Sequence, residues 1–396
     1  MVNVLLVSPS FPFPEHRDGI AKINYNILTR CSGYRADLLT VDDSDCKRVE
    51  GVEVKLIPFV EPPKKLELLI KWITTPLPIN IIKYERYMDA LAKKLEKVHE
   101  AYDIIHISSP FFASVYSMVS GNIQKKLILF PIDSISLNKE RMLERERSLV
   151  KKVVTYIEMM KYRRFEAVNY AKYRKTVFVS DVDSKYIKKL NPDIEAEWIP
   201  NGVDTAYFKS VTPSAKEEYS LVFTGDMSYQ PNEDAVRFFI EEVLPLIRKR
   251  VKVKFYVVGK RPKEWLQRYD SDDIVVTGFV DDIRGYLERA AAYVSPLRFG
   301  SGIKNKVLEA MSMSKVVIGT EISFEAIDVQ DGKSCIVVPQ DASKMAEKIV
   351  EVISDIKRYE YMERNARKLV EERYSWEGIA KRYAKIYESC TYGPQS

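Results

Sequence analysis

The sequence predicts an α/β protein built as two doubly wound domains. Three observations carry that expectation. At 396 residues the chain is too long for one ordinary core. Short runs rich in Val, Ile and Leu recur through both halves, as strands buried on both faces of a parallel sheet do. Between most of them the apolar residues return at helical spacing. In the first half the strand-like runs lie at 2–8, 36–41, 52–57, 103–108, 126–131, 176–180 and 196–199. In the second they lie at 219–224, 252–258, 273–276, 292–296, 315–319 and 334–338. The boundary falls between Pro200 and Glu217, where Pro, Gly, Asn, Ser and Thr accumulate. Residues 61–80, with Pro62, Pro63, Pro76 and Pro78, interrupt the rhythm and predict an irregular excursion or a short exposed apolar helix around Leu66 to Ile73. The last segment, from Trp376 to about Ser389, reads as a partly apolar helix. In folds of this class a ligand is expected at the carboxyl ends of the strands.

Composition narrows the function classes. With 46% hydrophobic and 30% charged residues the chain is globular rather than disordered. No apolar run approaches the length of a membrane span, and the start, MVNVLLVSPSF, reads directly as a first buried strand. Cys31, Cys46, Cys335 and Cys390 are scattered without metal or redox spacing, so reduced thiols in the cytoplasm are expected. The three histidines are isolated, and no metal site is expected. The net charge of +6 is concentrated: Lys139 to Lys175 holds 12 Lys or Arg against 5 Asp or Glu. Within it Val150, Val153, Val154, Ile157, Met160, Phe165 and Val168 recur at helical spacing, predicting one long amphipathic helix. Its basic remainder allows contact with an anionic membrane surface or an anionic substrate, and equally a core-packed helix with a solvated lysine face.

The most informative stretch is PLRFGSGIKNKVLEAMSMSKVVIGT, residues 296–320. A buried strand runs into a glycine-containing basic turn and then into a helix beginning near Ile303. Gly300 and Gly302 let backbone approach a ligand, and the helix start offers unpaired N–H groups and a positive dipole end to phosphate. Arg298, Lys304 and Lys306 add positive charge. Asn305, Lys306 and Glu309 share one helix face, opposite Ile303, Val307, Ala310 and Met311. Glu309 is placed to accept hydrogen bonds from a ribose diol, although Lys306 and Glu309 could also be a plain i,i+3 surface pair.

These residues resemble the donor-site signature of the retaining GT-B glycosyltransferases of family four, in which a strand ending in proline is followed by a glycine turn and a helix of the EAMA type. Here Pro296-Leu297 precede Leu308-Glu309-Ala310-Met311-Ser312 and Val316-Val317. Three further blocks resemble the family in order: IPNGVDTAYF (199–208), LVFTGDMSYQPNEDAVRFF (221–239) and VVTGFVDDIRGYLERAAAYVSPL (275–297). The wording is most similar to the polysaccharide-type sugar transferases. The resemblance implies a GT-B fold with two Rossmann-like domains facing a cleft. Residues 1–200, joined by the final helix at 376–396, would form the acceptor side, and 201–375 the donor-binding domain. It implies a hexosyltransferase that uses a nucleotide-diphospho-sugar (UDP, GDP or dTDP) and a glycan or lipid-linked acceptor, with no bound cofactor and no nucleic-acid partner. The setting it implies is cytoplasmic, or peripheral on the membrane's cytoplasmic face.

Several family positions differ. The residue eight before Glu309 is Ser301, where the family carries a second glutamate. Many relatives place an Arg and a Lys after the first strand of the second domain; this chain has Gly225-Asp226-Met227-Ser228 there. By the resemblance Gly225 and Asp226 belong to the donor site, and a turn-capping role is open for Asp226. Of the family's Gly-Gly turn after the first strand only Gly19 remains. The histidine that relatives carry after the strand at 126–131 is replaced by Asp133, which could orient or deprotonate an acceptor hydroxyl or merely cap a loop. His106 and His16 are lesser catalytic candidates. A sugar-nucleotide epimerase, or a protein that binds nucleotide sugars without catalysis, is the alternative; an NAD-dependent oxidoreductase is disfavoured, since no glycine precedes Gly19 after the first strand.

Overall fold

The computed structural model of the chain describes residues 1–13, 19–41, 49–146, 148–210, 216–300 and 302–391. His16 and Ser301 lie outside the described residues. The chain divides into two compact units, Met1–Pro200 with Glu377–Ser396, and Asn201–Trp376.

The first unit is built on strands β1 (Val2–Ser8), β2 (Tyr34–Val41), β3 (Val54–Ile57), β4 (Ile104–Ile107), β5 (Leu127–Ile132), β6 (Thr176–Phe178) and β7 (Ala196–Trp198). Their order is β3-β2-β1-β4-β5-β6-β7, and each pairing is parallel. The direction of winding therefore reverses between β1 and β4. Leu6 on β1 pairs with Leu38 on one side and His106 on the other, which puts that histidine in the middle of the sheet. The helix Trp376–Thr391 completes this unit: the Tyr387 hydroxyl lies 2.8 Å from His106 Nδ1, and the Tyr34 and Tyr387 rings meet edge to face at 4.9 Å.

The second unit contains β8 (Glu217–Thr224), β9 (Lys254–Val258), β10 (Ile274–Gly278), β11 (Ala290–Ser295), β12 (Val316–Gly319) and β13 (Ile336–Val337). Their order is β10-β9-β8-β11-β12-β13, again parallel, so winding reverses between β8 and β11. Every residue of β11 and β12 is buried, as expected of strands covered by helices on both faces. Each unit has its own core, centred on Leu5, Ile105 and Leu129 in the first and on Leu221, Phe255 and Val294 in the second.

Two expectations need correction. The basic segment is not one long helix but two, Ile135–Arg145 and Leu149–Asn169: the first ends with Glu146 at its C-cap, and Ser148 caps the second by accepting from the Lys151 N–H. Its apolar stripe is mostly not core: Val150, Val153, Val154, Met160 and Val168 are exposed, and of the stripe only Phe165 is buried. The excursion at 61–80 does contain a helix, Lys65–Thr74, and none of its residues is buried.

Candidate functional site

In doubly wound sheets the ligand crevice opens where neighbouring connections leave in opposite directions, at the carboxyl ends of the two central strands. In the second unit those strands are β8 and β11. Past the end of β8, Gly225 takes φ +157° and Gly259, past the end of β9, takes φ +146°. The two glycines pass so closely that a methyl on Gly259 would be driven into the Gly225 carbonyl. A methyl on Gly225 would lie 2.7 Å from the Asn232 amide and 3.3 Å from the Lys306 ammonium. Both positions need glycine for backbone conformation and for space.

Lys306 is the cation delivered to this place. It rises from the first turn of the helix Asn305–Ser312, hydrogen-bonds Asn232 Oδ1, and lies 4.4 Å from the centre of the Phe223 ring. Burial, with a smaller contribution from neighbouring Lys304 and against the pull of Glu309, lowers its pKa to about 7. The end of β8 at Thr224 thus lacks cations next to it in sequence, and Lys306 comes to it from 82 residues further along the chain.

The glycine turn has the expected backbone. Gly300 (φ +127°) and Gly302 (φ +70°) take conformations that side chains disfavour. The helix starts at Asn305 rather than near Ile303; Ile303 is buried in the turn, Lys304 occupies the N-cap, and no side chain caps the helix. The Val307 and Leu308 N–H groups return to the Lys304 carbonyl, and the Asn305 and Lys306 amides are the donors a helix start offers to an anion. Val307, Leu308, Ala310 and Met311 are buried while Asn305, Lys306 and Glu309 are half-buried on the other face. Asn305 Oδ1 accepts from the Asn201 side chain at 3.0 Å, which ties the IPNGVD segment to the helix start. Gly202 beside it has no room for a Cβ against the Trp376 indole.

Other predicted residues are committed elsewhere. The Arg298 guanidinium forks onto Asp234 at 2.6 and 2.8 Å and stacks on Phe238, because the helix Gln230–Phe238 brings that carboxylate alongside. Asp234 neutralises it and holds its pKa above the usual arginine range. Lys304 is turned in, hydrogen-bonded to the Gly302 carbonyl and 3.9 Å from Glu325, so it braces the turn. Asp226 is likewise a loop residue. Its carboxylate accepts from Ser228 N at 2.9 Å, Ser228 Oγ at 2.7 Å and the Arg261 fork. Asn232, Gly259 and Arg261 were not singled out in the sequence; the strand-end wording VVGKRP was the signal available for the last two.

In the first unit winding reverses at β1 and β4. There Asn24 donates to Ser8 Oγ at 3.0 Å and accepts from Ser108 Oγ at 2.6 Å, fastening the helix Gly19–Thr29 to both strand ends. Gly19 opens that helix, and a Cβ added to it meets nothing within 4 Å among the described residues. Asp133 follows Ile132, whose φ of +74° is a strained value for a β-branched residue and turns the chain sharply at the end of β5. Asp133 is half-buried at that turn. His106 sits in the middle of the first sheet and lines a small cavity with Ile23, Ser108, Phe130, Ile132 and Tyr383. It is fully buried, stacked on Phe130 at 3.8 Å, bonded to Tyr387, and its pKa is driven well below the ordinary value by burial alone, so it stays neutral. Among the described residues no cluster of His, Cys, Asp and Glu could hold a metal ion.

Comparison with known proteins agrees with this geometry. Residues 218–355 match the family model for Glycosyl transferases group 1. Over 394 residues the chain is 19% identical to an uncharacterized 44.6 kDa protein in the cps region of Klebsiella pneumoniae, covering 94% of this chain and 97% of that one. It is 27% identical over 212 residues to an uncharacterized glycosyltransferase of Methanocaldococcus jannaschii, covering 50% of this chain and 52% of that one. Among solved structures, sucrose-phosphate synthase of Thermosynechococcus elongatus superposes with a TM-score of 0.75 at 16% identity, covering 98% of this chain and 99% of that one. HepE of Anabaena in complex with UDP gives 0.68 at 15% identity, covering 98% and 100%. Such likeness at low identity establishes the GT-B architecture, and the family match places a group 1 glycosyltransferase domain in the second unit of the chain, at residues 218–355.

Proposed function

We propose that the chain transfers a hexose from a nucleotide-diphospho-sugar, with retention of anomeric configuration, to a glycan or lipid-linked saccharide in the building of a surface polysaccharide. It works in the cytoplasm. The observation that carries this reading is the convergence at the ends of β8 and β11: a lysine ammonium, two close-packed glycines and an uncapped helix start meet where a diphosphate would lie. Lys306 and the first amides of its helix hold the leaving diphosphate, whose charge grows as the glycosidic bond breaks. Glu309, one turn along, takes the ribose diol. Asp133 is assigned to the acceptor hydroxyl, which it orients and helps to deprotonate. The solved complexes of HepE with UDP and with UDP-glucose, and the cps-region relative, support the donor class and the polysaccharide setting.

The test is calorimetric titration with UDP, GDP and dTDP, followed by transfer assays with the matching sugar nucleotides. A nucleoside diphosphate at 100 times its dissociation constant should stabilise the fold by about 2.7 kcal/mol. If none of the three binds, the donor assignment fails.

A further inference from the structure

Two helices of the first unit lie with their apolar stripes outward. In Lys65–Thr74, Leu66, Leu69, Ile70 and Ile73 recur at i, i+3, i+4 and i+7, and are between 49 and 69% exposed. The polar side is the one that packs. Glu67 accepts from Arg86 at 2.8 Å and Lys71 reaches Glu85 at 2.8 Å, both on the helix Ile79–Val98. The first turns of the helix Leu149–Asn169 also turn apolar side chains outward, with Leu149, Val150, Val153 and Val154 between 45 and 79% exposed, while its second half packs inward through Glu158, Met159, Tyr162, Phe165 and Glu166. Trp72 joins the two helices: its indole N–H donates to Glu158, and its carbonyl accepts from Lys161. Water-exposed stripes of this size on adjoining helices cost free energy unless something covers them.

The charge around the stripes is one-sided. Lys64, Lys65, Lys151 and Lys152 are exposed beside them, and residues 149–157 contain no Asp or Glu. Within the two helices Glu67 and Glu158 are occupied, by Arg86 and by the Trp72 indole, while Glu61 and Glu146 precede the stripes in the chain. A second copy of the chain packed on the same patch by two-fold symmetry would set lysines against lysines. An anionic lipid surface accepts both features, since the apolar stripe enters the boundary between headgroups and acyl chains and the lysines meet phosphates. We propose that the helices Lys65–Thr74 and Leu149–Asn169 form a docking surface for an anionic bilayer. The two helices belong to the first unit and the donor turn to the second, so the proposal stands or falls independently of nucleotide binding.

The experiment is co-sedimentation of the full chain with vesicles of phosphatidylcholine alone and of phosphatidylcholine mixed with phosphatidylglycerol, across a salt series. Binding to the mixed vesicles should weaken with salt, and each of Lys151→Gln and Lys152→Gln should reduce partitioning about fivefold. Leu66→Ser with Ile70→Ser, and Val150→Ser with Val153→Ser, should each reduce it on the order of tenfold or more while leaving thermal unfolding and nucleotide binding unchanged. Recovery in the supernatant with both vesicle types at low salt would overturn the proposal. So would vesicle binding untouched by the serine variants, or a dimer in light scattering that those variants dissolve while no vesicle is bound.

Discussion

At the scale of single residues the structure separates cations that are available from cations that are spent. Lys306→Met should weaken nucleoside diphosphate binding on the order of 10–100-fold, the loss of one charge-assisted bond, with the fold intact. Because burial lowers its pKa to about 7 and a bound phosphate favours the ammonium, wild-type affinity should fall as pH rises above about 7. Calorimetry from neutral to alkaline pH should show that slope in the wild type and its absence in Lys306→Met. Arg298→Ala should behave differently. Its guanidinium and the Asp234 carboxylate are each only about a quarter exposed, so the cost should be about 1–2 kcal/mol of stability with nucleotide affinity nearly unchanged. The paired variant with Asp234→Ala should lose little more than either alone. Gly259→Ala should cost on the order of 4 kcal/mol or more, read as loss of soluble protein, since no side chain there can swing aside from a backbone carbonyl. Gly19→Ala, with open space around it, should be neutral for stability.

At the scale of elements, the start of the helix Ile135–Arg145 rests on a buried carboxylate. Glu166 accepts from Ile135 N at 2.8 Å and from the hydroxyls of Ser134 and Ser136, while Asp183 accepts from Ser134 N at 2.8 Å. Burial outweighs those bonds and pushes the Glu166 pKa up to about 7. An acid with a raised folded pKa binds more protons folded than unfolded. Its contribution to stability is therefore full below the ordinary carboxyl pKa and is lost as pH rises through about 7. Urea unfolding at mildly acidic and at neutral pH should show that decline, and Glu166→Gln, which resembles the protonated form, should flatten it. The same segment orients Asp133 from the other side, through the strained Ile132.

At the scale of the molecule, the last helix belongs to the first unit although it follows the second in sequence. Ile379, Tyr383 and Tyr387 are buried in it, and the Tyr387 hydroxyl partners Nδ1 of the histidine at the centre of the first sheet. Removing residues 377–396 should therefore expose the first unit selectively. Limited proteolysis of the truncated chain should degrade residues 1–200 and leave 201–376 protected. Tyr387→Phe, which removes the hydroxyl and keeps the ring, should cost about 1 kcal/mol.

The alternation of buried strands and helices was legible in the residues themselves, because parallel strands covered on both faces must be continuous apolar runs. So was the glycine turn before Glu309, since few residues other than glycine tolerate the backbone found at 300 and 302. Which charge serves which partner was not legible. Arg298 meets Asp234 across 64 positions, Asp226 meets Arg261 across 35, and Lys306 reaches Asn232 across 74. Periodicity likewise showed that residues 149–160 carry an apolar stripe, yet a stripe reads the same whether it is covered or bare. Only the packing of the surrounding helices turned it outward, because the direction of a helix face is set by the neighbours it meets rather than by its own sequence.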